Sequence, residues 1–199
     1  MALPSATNLL SKDGEVFYFS EFFSKSESDL YLELLLQETP WKHEPIKIFG
    51  KQILQPRLTA WIGDAGLDYS YSGIKMRPSP WTLTLRRIKE KVEIQTGLNF
   101  NSALLNQYRN ENDSVGWHSD NEKELGINPI IASVSLGETR EFQFKHRNDK
   151  NLKASVLLQH GSLLLMQGEI QHHWIHAIPK RRRSMQARIN ITFRQIKIF

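Results

Sequence analysis

The sequence contains no cysteine, which excludes disulfides and thiolate metal sites. Any transition-metal centre must therefore be built from imidazole and carboxylate. It also lacks long apolar runs. Nothing approaches the roughly 18 consecutive apolar residues that a membrane span requires, so no membrane attachment is expected. Met1 to Gly14 lacks the basic-then-apolar order of a secretory signal. No repeat, low-complexity tract or Pro/Gly/Ser-rich linker divides the 199 residues. These absences point to one compact, intracellular, monomeric unit with ordinary composition, 40% hydrophobic and 24% charged.

Charge is present but uneven. The net charge is +5, yet Arg140 to Phe199 has 12 Lys/Arg against 3 Asp/Glu, and the preceding residues have 14 against 18. A basic C-terminal third fits an anionic partner, nucleic acid first, or equally a solvated basic face. The four-residue run Lys180 to Arg183 has the same two readings, with an import signal as a third.

The N-terminal half reads as a strand, a helix, a hairpin and a second helix. Glu15 to Phe19 is a short apolar run. Ser26 is placed to cap a helix through Leu30 to Leu36, with Asp29 in its first turn and Pro40 as its stop. Lys42 to Ile62 reads as two strands about a turn with Phe49-Gly50 near the tip. Phe49, between Lys47 and Lys51, is either a wedge for a base stack with phosphate anchors or a residue folded back on the core. After Pro80, Trp81, Leu85, Ile88 and Val92 form one apolar stripe ended by Gly97.

Beyond Gly97 the pattern is short strands. Leu104 to Tyr108 places Asn106 and Tyr108 on one face. Asp113 to Gly116 is read as a turn, and Ile130 to Leu136 with Glu141 to Lys145 as a hairpin. Ser155 to Leu158, Leu163 to Met166, Trp174 to Ile178 and Arg188 to Phe193 follow. Two helices and many strands predict an α+β, mainly β chain with a β-sandwich or jelly-roll body. Residues 98–199 are its core, and 1–97 an N-terminal extension with a recognition hairpin and lid.

The chemistry centres on His118-Ser119-Asp120. On an extended chain the two side chains point the same way. With one more imidazole they form the two-His, one-carboxylate set that leaves positions open on a non-haem Fe(II) ion. His176 is one candidate, and His172 and His173 are rivals. His43, His146 and His160 are read as structural. In Arg188 to Arg194, residues 188, 190, 192 and 194 are polar and alternate with Ile189, Ile191 and Phe193. That face is either wet or lines a cavity for an acid, a task suited to the arginine fork.

Taken together, Asn106-Gln107-Tyr108, Trp117-His118-Ser119-Asp120-Asn121-Glu122, Ile131 to Gly137, Trp174-Ile175-His176 and Arg188-x-Asn190-x-Thr192-Phe193-Arg194 resemble the AlkB family of Fe(II)- and 2-oxoglutarate-dependent dioxygenases. Ile48-Phe49-Gly50, Pro56-Arg57, Gly63 to Leu67 and Tyr69 to Gly73 are similar to its branch acting on DNA and RNA bases. The resemblance implies a double-stranded β-helix with His118, Asp120 and His176 as iron ligands. It implies that Arg188 pairs with the far carboxylate of 2-oxoglutarate, and that Asn106, Tyr108, Asn190 and Arg194 contact the same molecule. Tyr69, Tyr71 and Ser72 belong by resemblance to a lid over a flipped base, with Arg57 and Glu122 near it and Phe49 filling the gap. The implied reaction uses dioxygen to demethylate 1-methyladenine and 3-methylcytosine in DNA, releasing formaldehyde, succinate and carbon dioxide. The compartment would be the cytoplasm of a bacterium or the nucleus of a eukaryote. Asn121 departs from relatives with a second Asp, which bears on base and strand preference. Rival readings are the same chemistry on RNA, a protein or a small molecule, and a non-catalytic nucleic-acid-binding β-sandwich.

Overall fold

A computed structural model describes residues 6–48, 51–67, 69–71 and 74–197. The chain runs β1 (Glu15–Phe19), α1 (Lys25–Glu38), β2 (Pro45–Ile48), β3 (Lys51–Leu54), β4 (Leu58–Gly63), β5 (Tyr69–Tyr71), β6 (Ile74–Met76) and α2 (Leu83–Thr96). Then come β7 (Ser102–Tyr108), β8 (Val115–His118), β9 (Ile131–Gly137), β10 (Arg140–His146), β11 (Lys153–Leu158), β12 (Ser162–Gln167), the single turn α3 (Ile170–His173), β13 (Trp174–Ile178) and β14 (Arg188–Arg194).

Two antiparallel sheets face each other. The larger has the order β1-β12-β9-β14-β7-β4, and the smaller β11-β10-β13-β8. This is the mainly β jelly roll that the strand pattern predicts. Strands β1 and β4, from the N-terminal part, form the two edges of the larger sheet.

The larger sheet is covered on both faces. Ala132, Val134, Leu136, Ile189, Ile191 and Phe193 pack outward with Leu35 of α1 and Leu85, Ile88 and Val92 of α2. At about 25 cal/mol per Å² of apolar surface, this layer supplies much of the driving force for folding. The opposite face of β14 turns toward the smaller sheet, so its polar residues line an interior and not a wet surface.

Several local expectations are corrected. The cap of α1 is Ser24, not Ser26. Ser24 accepts from the Glu27 amide at 3.3 Å while the Glu27 carboxylate accepts from the Ser24 amide at 2.8 Å. This reciprocal box places Ser26 inside the first turn. The stretch from Lys42 to Ile62 holds the expected hairpin, β2 paired with β3, but also a third strand, β4, which joins the larger sheet against β7. The turn before His118 lies at 110–112, where the Asp113 carboxylate closes on the Arg109 amide and guanidinium, so Val115 and Gly116 are already strand.

β9 and β10 are not a hairpin. β9 pairs with β12 and β14, whereas β10 pairs with β11 and β13. The chain leaves one sheet for the other at Gly137, whose φ is 91° and where a Cβ would collide with the Ala187 carbonyl. Only glycine adopts that conformation in that space without strain.

Candidate active site

The register of the strands assembles the site. In the smaller sheet His176 of β13 is the direct partner of His118 on β8. In the larger sheet Arg188 and Asn190 are the partners of Tyr108 and Asn106. One pocket between the sheets is lined by Arg57, Asn106, Tyr108, His118, Asp120, His176, Arg188, Asn190 and Arg194. Its apolar wall is Leu104, Phe142, Leu158, Met166 and Ile178. A depression beside α2, lined by Asp64, Trp81 and Lys89 among others, holds no comparable chemistry. Its side chains pair with each other, as in Lys89–Glu93 at 2.8 Å and Trp81–Asp64 at 2.7 Å.

The ligand-capable atoms of His118, Asp120 and His176 lie within 4.8 Å of one another, close enough for one ion. Nδ1 of His118 lies 2.8 Å from the Gly116 carbonyl. A carbonyl only accepts, so Nδ1 holds the proton and Nε2 keeps a free lone pair, the form that binds metal. Asp120 divides its carboxylate. Oδ1 accepts from Arg194 Nη2 at 2.6 Å, and Oδ2 faces His176 Nε2 at 3.9 Å. The donor set therefore fits a divalent iron ion.

A second cluster, Asp13, His146 and His173, also has clustered donors, but its protonation is wrong for a metal. Nδ1 of His146 accepts from the Asn148 and Asp149 amides at 3.3 and 3.1 Å, so the proton is on Nε2, which donates to Asp13 at 3.1 Å. It is a hydrogen-bonded clamp. The rivals of His176 are also spoken for. His172 Nε2 lies 2.6 Å from the Ile127 carbonyl, and His173 stacks on His146 with Glu169 at 3.7 Å. The alternation that placed His172 beside His176 fails because 170–173 is a helical turn.

Burial shapes the electrostatics. Burial pushes the Asp120 carboxyl up, but Arg194, His176 and His118 outweigh it and hold the carboxyl below its usual value. Burial and the neighbouring His118 push His176 down to about 3. Folding thus excludes a proton that the unfolded chain binds below about pH 6.5. The sign follows: this linkage costs nothing above pH 6.5 and removes stability as pH falls from there toward 3, by up to about 1.4 kcal/mol per pH unit. Asp120 adds its own loss only as pH drops below the ordinary carboxylate range. Urea titrations of metal-free protein at pH 7.5, 6 and 5 should show this decline, and His176→Gln should flatten it; equal slopes in both proteins would contradict the assignment.

Arg188 is fully buried. Nη2 donates to Ser135 Oγ at 2.9 Å, while Nε and Nη1 are buried without partners among the described residues. Burial pushes the guanidinium down to about 10, with the Tyr108 hydroxyl acting in the opposite direction. A cation held dry with open N–H groups is suited to receive an anion. The amide of Asn190 is occupied by Ser133, Val134 and Thr192. Asn106 accepts from Arg57 Nε at 2.6 Å, so Arg57 braces the pocket wall.

Of the expected nucleic-acid contacts, Phe49 and Ser72 lie outside the described residues, as do the side chains of Tyr69 and Tyr71. The backbone of both tyrosines is in β5, paired with β6. Glu122 is two residues past Asp120, with Oε2 buried and without a partner among the described residues. Sequence reasoning missed Gln171, whose Oε1 accepts from the Asp120 amide at 2.9 Å, and Arg140, buried over the Tyr108 ring. Neither stands in a pattern that would have marked it.

A family model described as the 2OG-Fe(II) oxygenase superfamily matches residues 15–194. The chain is 43% identical over 190 residues to alpha-ketoglutarate-dependent dioxygenase alkB homolog 3 of Homo sapiens, covering 91% of this chain and 66% of that relative. It is 37% identical over 188 residues to DNA oxidative demethylase ALKBH2 of Mus musculus, covering 89% and 79%. The solved structure of OsALKBH1 superposes with a TM-score of 0.63 at 18% identity, over 90% of this chain and 96% of that one, which shows a shared fold. The chain spans 64–66% of the length of its alkB homolog 3 relatives from four mammals. Among the described residues no helix is long and apolar enough to cross a membrane. The family works with Fe(II), 2-oxoglutarate and dioxygen, and the donors of this pocket suit them. With the match running nearly end to end over such a pocket, the chain belongs to the 2OG-Fe(II) oxygenase superfamily, among its AlkB homologues.

Proposed function

We propose that the protein is an intracellular DNA oxidative demethylase that removes methyl groups from base nitrogens, with 1-methyladenine and 3-methylcytosine as its lesions. The observation that carries this reading is the convergence of His118, Asp120 and His176 with the open N–H groups of Arg188 in one pocket. Its relatives named as alkB homolog 3 and as ALKBH2 DNA oxidative demethylases support the substrate class.

In this reading His118 Nε2, Asp120 Oδ2 and His176 hold Fe(II), and Arg194 steadies the carboxylate from its other oxygen. Arg188 receives the far carboxylate of 2-oxoglutarate beside Tyr108. Asn106, held by Arg57, and Asn190, held by Ser133, shape the same wall. When bound, the iron with 2-oxoglutarate and dioxygen supplies the oxidation that turns the methyl into a hydroxymethyl group, which leaves as formaldehyde. The protein's part is orientation and exclusion of water. The apolar wall of Leu104, Phe142, Leu158 and Met166 keeps the cavity dry.

A methyl on the Watson–Crick edge is reachable only in an unpaired or extruded base. The hairpin β2–β3 and the strand β5, with Phe49, Tyr69, Tyr71 and Ser72, are assigned by the resemblance to hold it, with Arg57 and Glu122 nearby. Stacking on such a base is worth about 1–3 kcal/mol. The basic C-terminal third suits the phosphate backbone.

The test is a panel of methylated oligonucleotides, DNA and RNA, single- and double-stranded, with formaldehyde and succinate as readouts. Turnover of both methylated bases in DNA, dependent on iron and 2-oxoglutarate, is expected. Succinate release without repair of any base would reject the substrate class. Preference for RNA would move the assignment to that polymer. A second prediction needs no substrate: with Mn(II) and no oxygen, 2-oxoglutarate at 100 times its Kd should stabilise the fold by about 2.7 kcal/mol. A thermal melt without that shift would remove the cosubstrate.

A further inference from the structure

Arg140 opens β10 and points inward, 1% exposed. Among the described residues no carboxylate pairs with it: Asp113, the acid on the nearest turn, is taken by Arg109 at 2.8 and 2.9 Å. Its guanidinium meets main-chain carbonyls instead, with Nη2 donating to Asp113 at 2.9 Å and Pro179 at 2.7 Å, and Nη1 to Asn110 at 3.4 Å. Nε has no partner among the described residues. A buried cation without an anion is costly, and an apolar side chain would have filled the space.

Its contacts suggest a reason. Asn110 and Asp113 bound the turn that leads into β8 and His118. Pro179 directly follows β13, three residues after His176. β8 is an edge strand of four residues whose pairing with β13 shifts register between His176 and Ile178. Arg140 ties the ends of these two strands together where the ladder is irregular. It also lies over the Tyr108 ring, 5.5 Å from its centroid, and Arg188 lies over the same ring at 5.0 Å. Two guanidinium groups therefore hold one phenol, and one of them is the proposed anion seat.

We propose that Arg140 is a positioning residue for 2-oxoglutarate, fixing Tyr108 against Arg188 while touching neither the cosubstrate nor the metal. A planar fork that spans three carbonyls and still presents its face to a ring is a task for arginine and not lysine. The inference rests on the reading that Arg188 receives the far carboxylate.

The test uses the full chain loaded with Mn(II) in the absence of oxygen, with 2-oxoglutarate binding followed by calorimetry well below the melting temperature. Arg140→Met and Arg140→Lys should each weaken binding by about tenfold or more, the usual loss when a supporting residue is removed. Mn(II) affinity should move far less. In a Tyr108→Ala background the same substitutions should add little, because the route runs through the ring. Lysine keeps charge and length, so Arg140→Lys carries the test if the methionine variant fails to fold. A lower Tm with unchanged 2-oxoglutarate affinity would overturn the proposal, as would a full loss that persists without Tyr108. Arg188→Lys separates the two layers. If it binds as wild type, the anion seat itself is misassigned; if it is impaired while the Arg140 variants are not, only this inference fails.

Discussion

Arg188→Met is expected to abolish 2-oxoglutarate binding and turnover while leaving the apo fold as stable as before, or more so. Two charge-assisted hydrogen bonds from Nε and Nη1 to a carboxylate are worth about 1.5–3 kcal/mol each. Their loss should weaken binding by roughly 10²- to 10⁴-fold. Stability moves the other way because the guanidinium is fully buried with those two groups open. Replacing a buried charge by an apolar side chain of similar volume is often neutral, or stabilising by about 1–4 kcal/mol. The small opposing cost is the lost hydrogen bond to Ser135. Chemical denaturation without ligand, and a thermal melt with and without 2-oxoglutarate, separate the two effects. A variant that still gains stability from 2-oxoglutarate, or melts far lower in its absence, would make Arg188 a structural residue.

Asp120→Ala should remove activity by more than about 10³-fold, and it should also destabilise the metal-free protein. Asp120 is the partner of Arg194, and both side chains are largely buried, at 5% and 15% exposed. Taking away the carboxylate leaves a cation without its anion, a loss of about 3–5 kcal/mol. At this chain length that lowers Tm by on the order of 10 °C. His118→Ala is the control. It deletes another of the proposed ligands, but its ring is half-buried, lies by Nδ1 against the Gly116 carbonyl and meets the His176 ring edge-on at 4.4 Å. It should lose Mn(II) binding and turnover with little change in Tm. If the two variants melt alike, the Arg194 pair contributes nothing measurable, and Asp120 acts only as a ligand.

These two positions also mark how much of the site is legible from residues alone. His118 and Asp120 are adjacent in the pattern, and extended backbone gives both side chains one direction. Alternation in β14 likewise separates Arg188, Asn190, Thr192 and Arg194 from the apolar residues packed on the helices. What alternation leaves open is where the polar face goes, since a wet face and a cavity wall have the same period. The answer lies in the second sheet, whose strands close over it. The third ligand is similar. His172, His173 and His176 are chemically equal in the chain; apart from the family resemblance, what sets His176 beside His118 is the pairing of β13 with β8 and the helical turn before it.

The two terminal arginines of β14 make the same point. Both belong to one alternating face, yet Arg194 gives Nη2 to Asp120 and leaves Nε without a partner among the described residues, while Arg188 leaves both Nε and Nη1. Arg140 was invisible, because a lone arginine beginning a strand reads as solvated. It is buried only because β7, β13 and the turn before β8 meet around it.

The residues by themselves determined the inventory: imidazole and carboxylate as the only metal donors, strands with one polar face, and two helices, the second with one apolar stripe to cover a sheet. Those properties are local, set by side-chain chemistry and backbone period. The tertiary structure alone decided the partners. It placed β9 and β10 in opposite sheets, set His176 across from His118, and put Tyr108 beneath two guanidinium groups. Such contacts join residues tens of positions apart, and their energies depend on burial and register, which exist only once the sheets have closed.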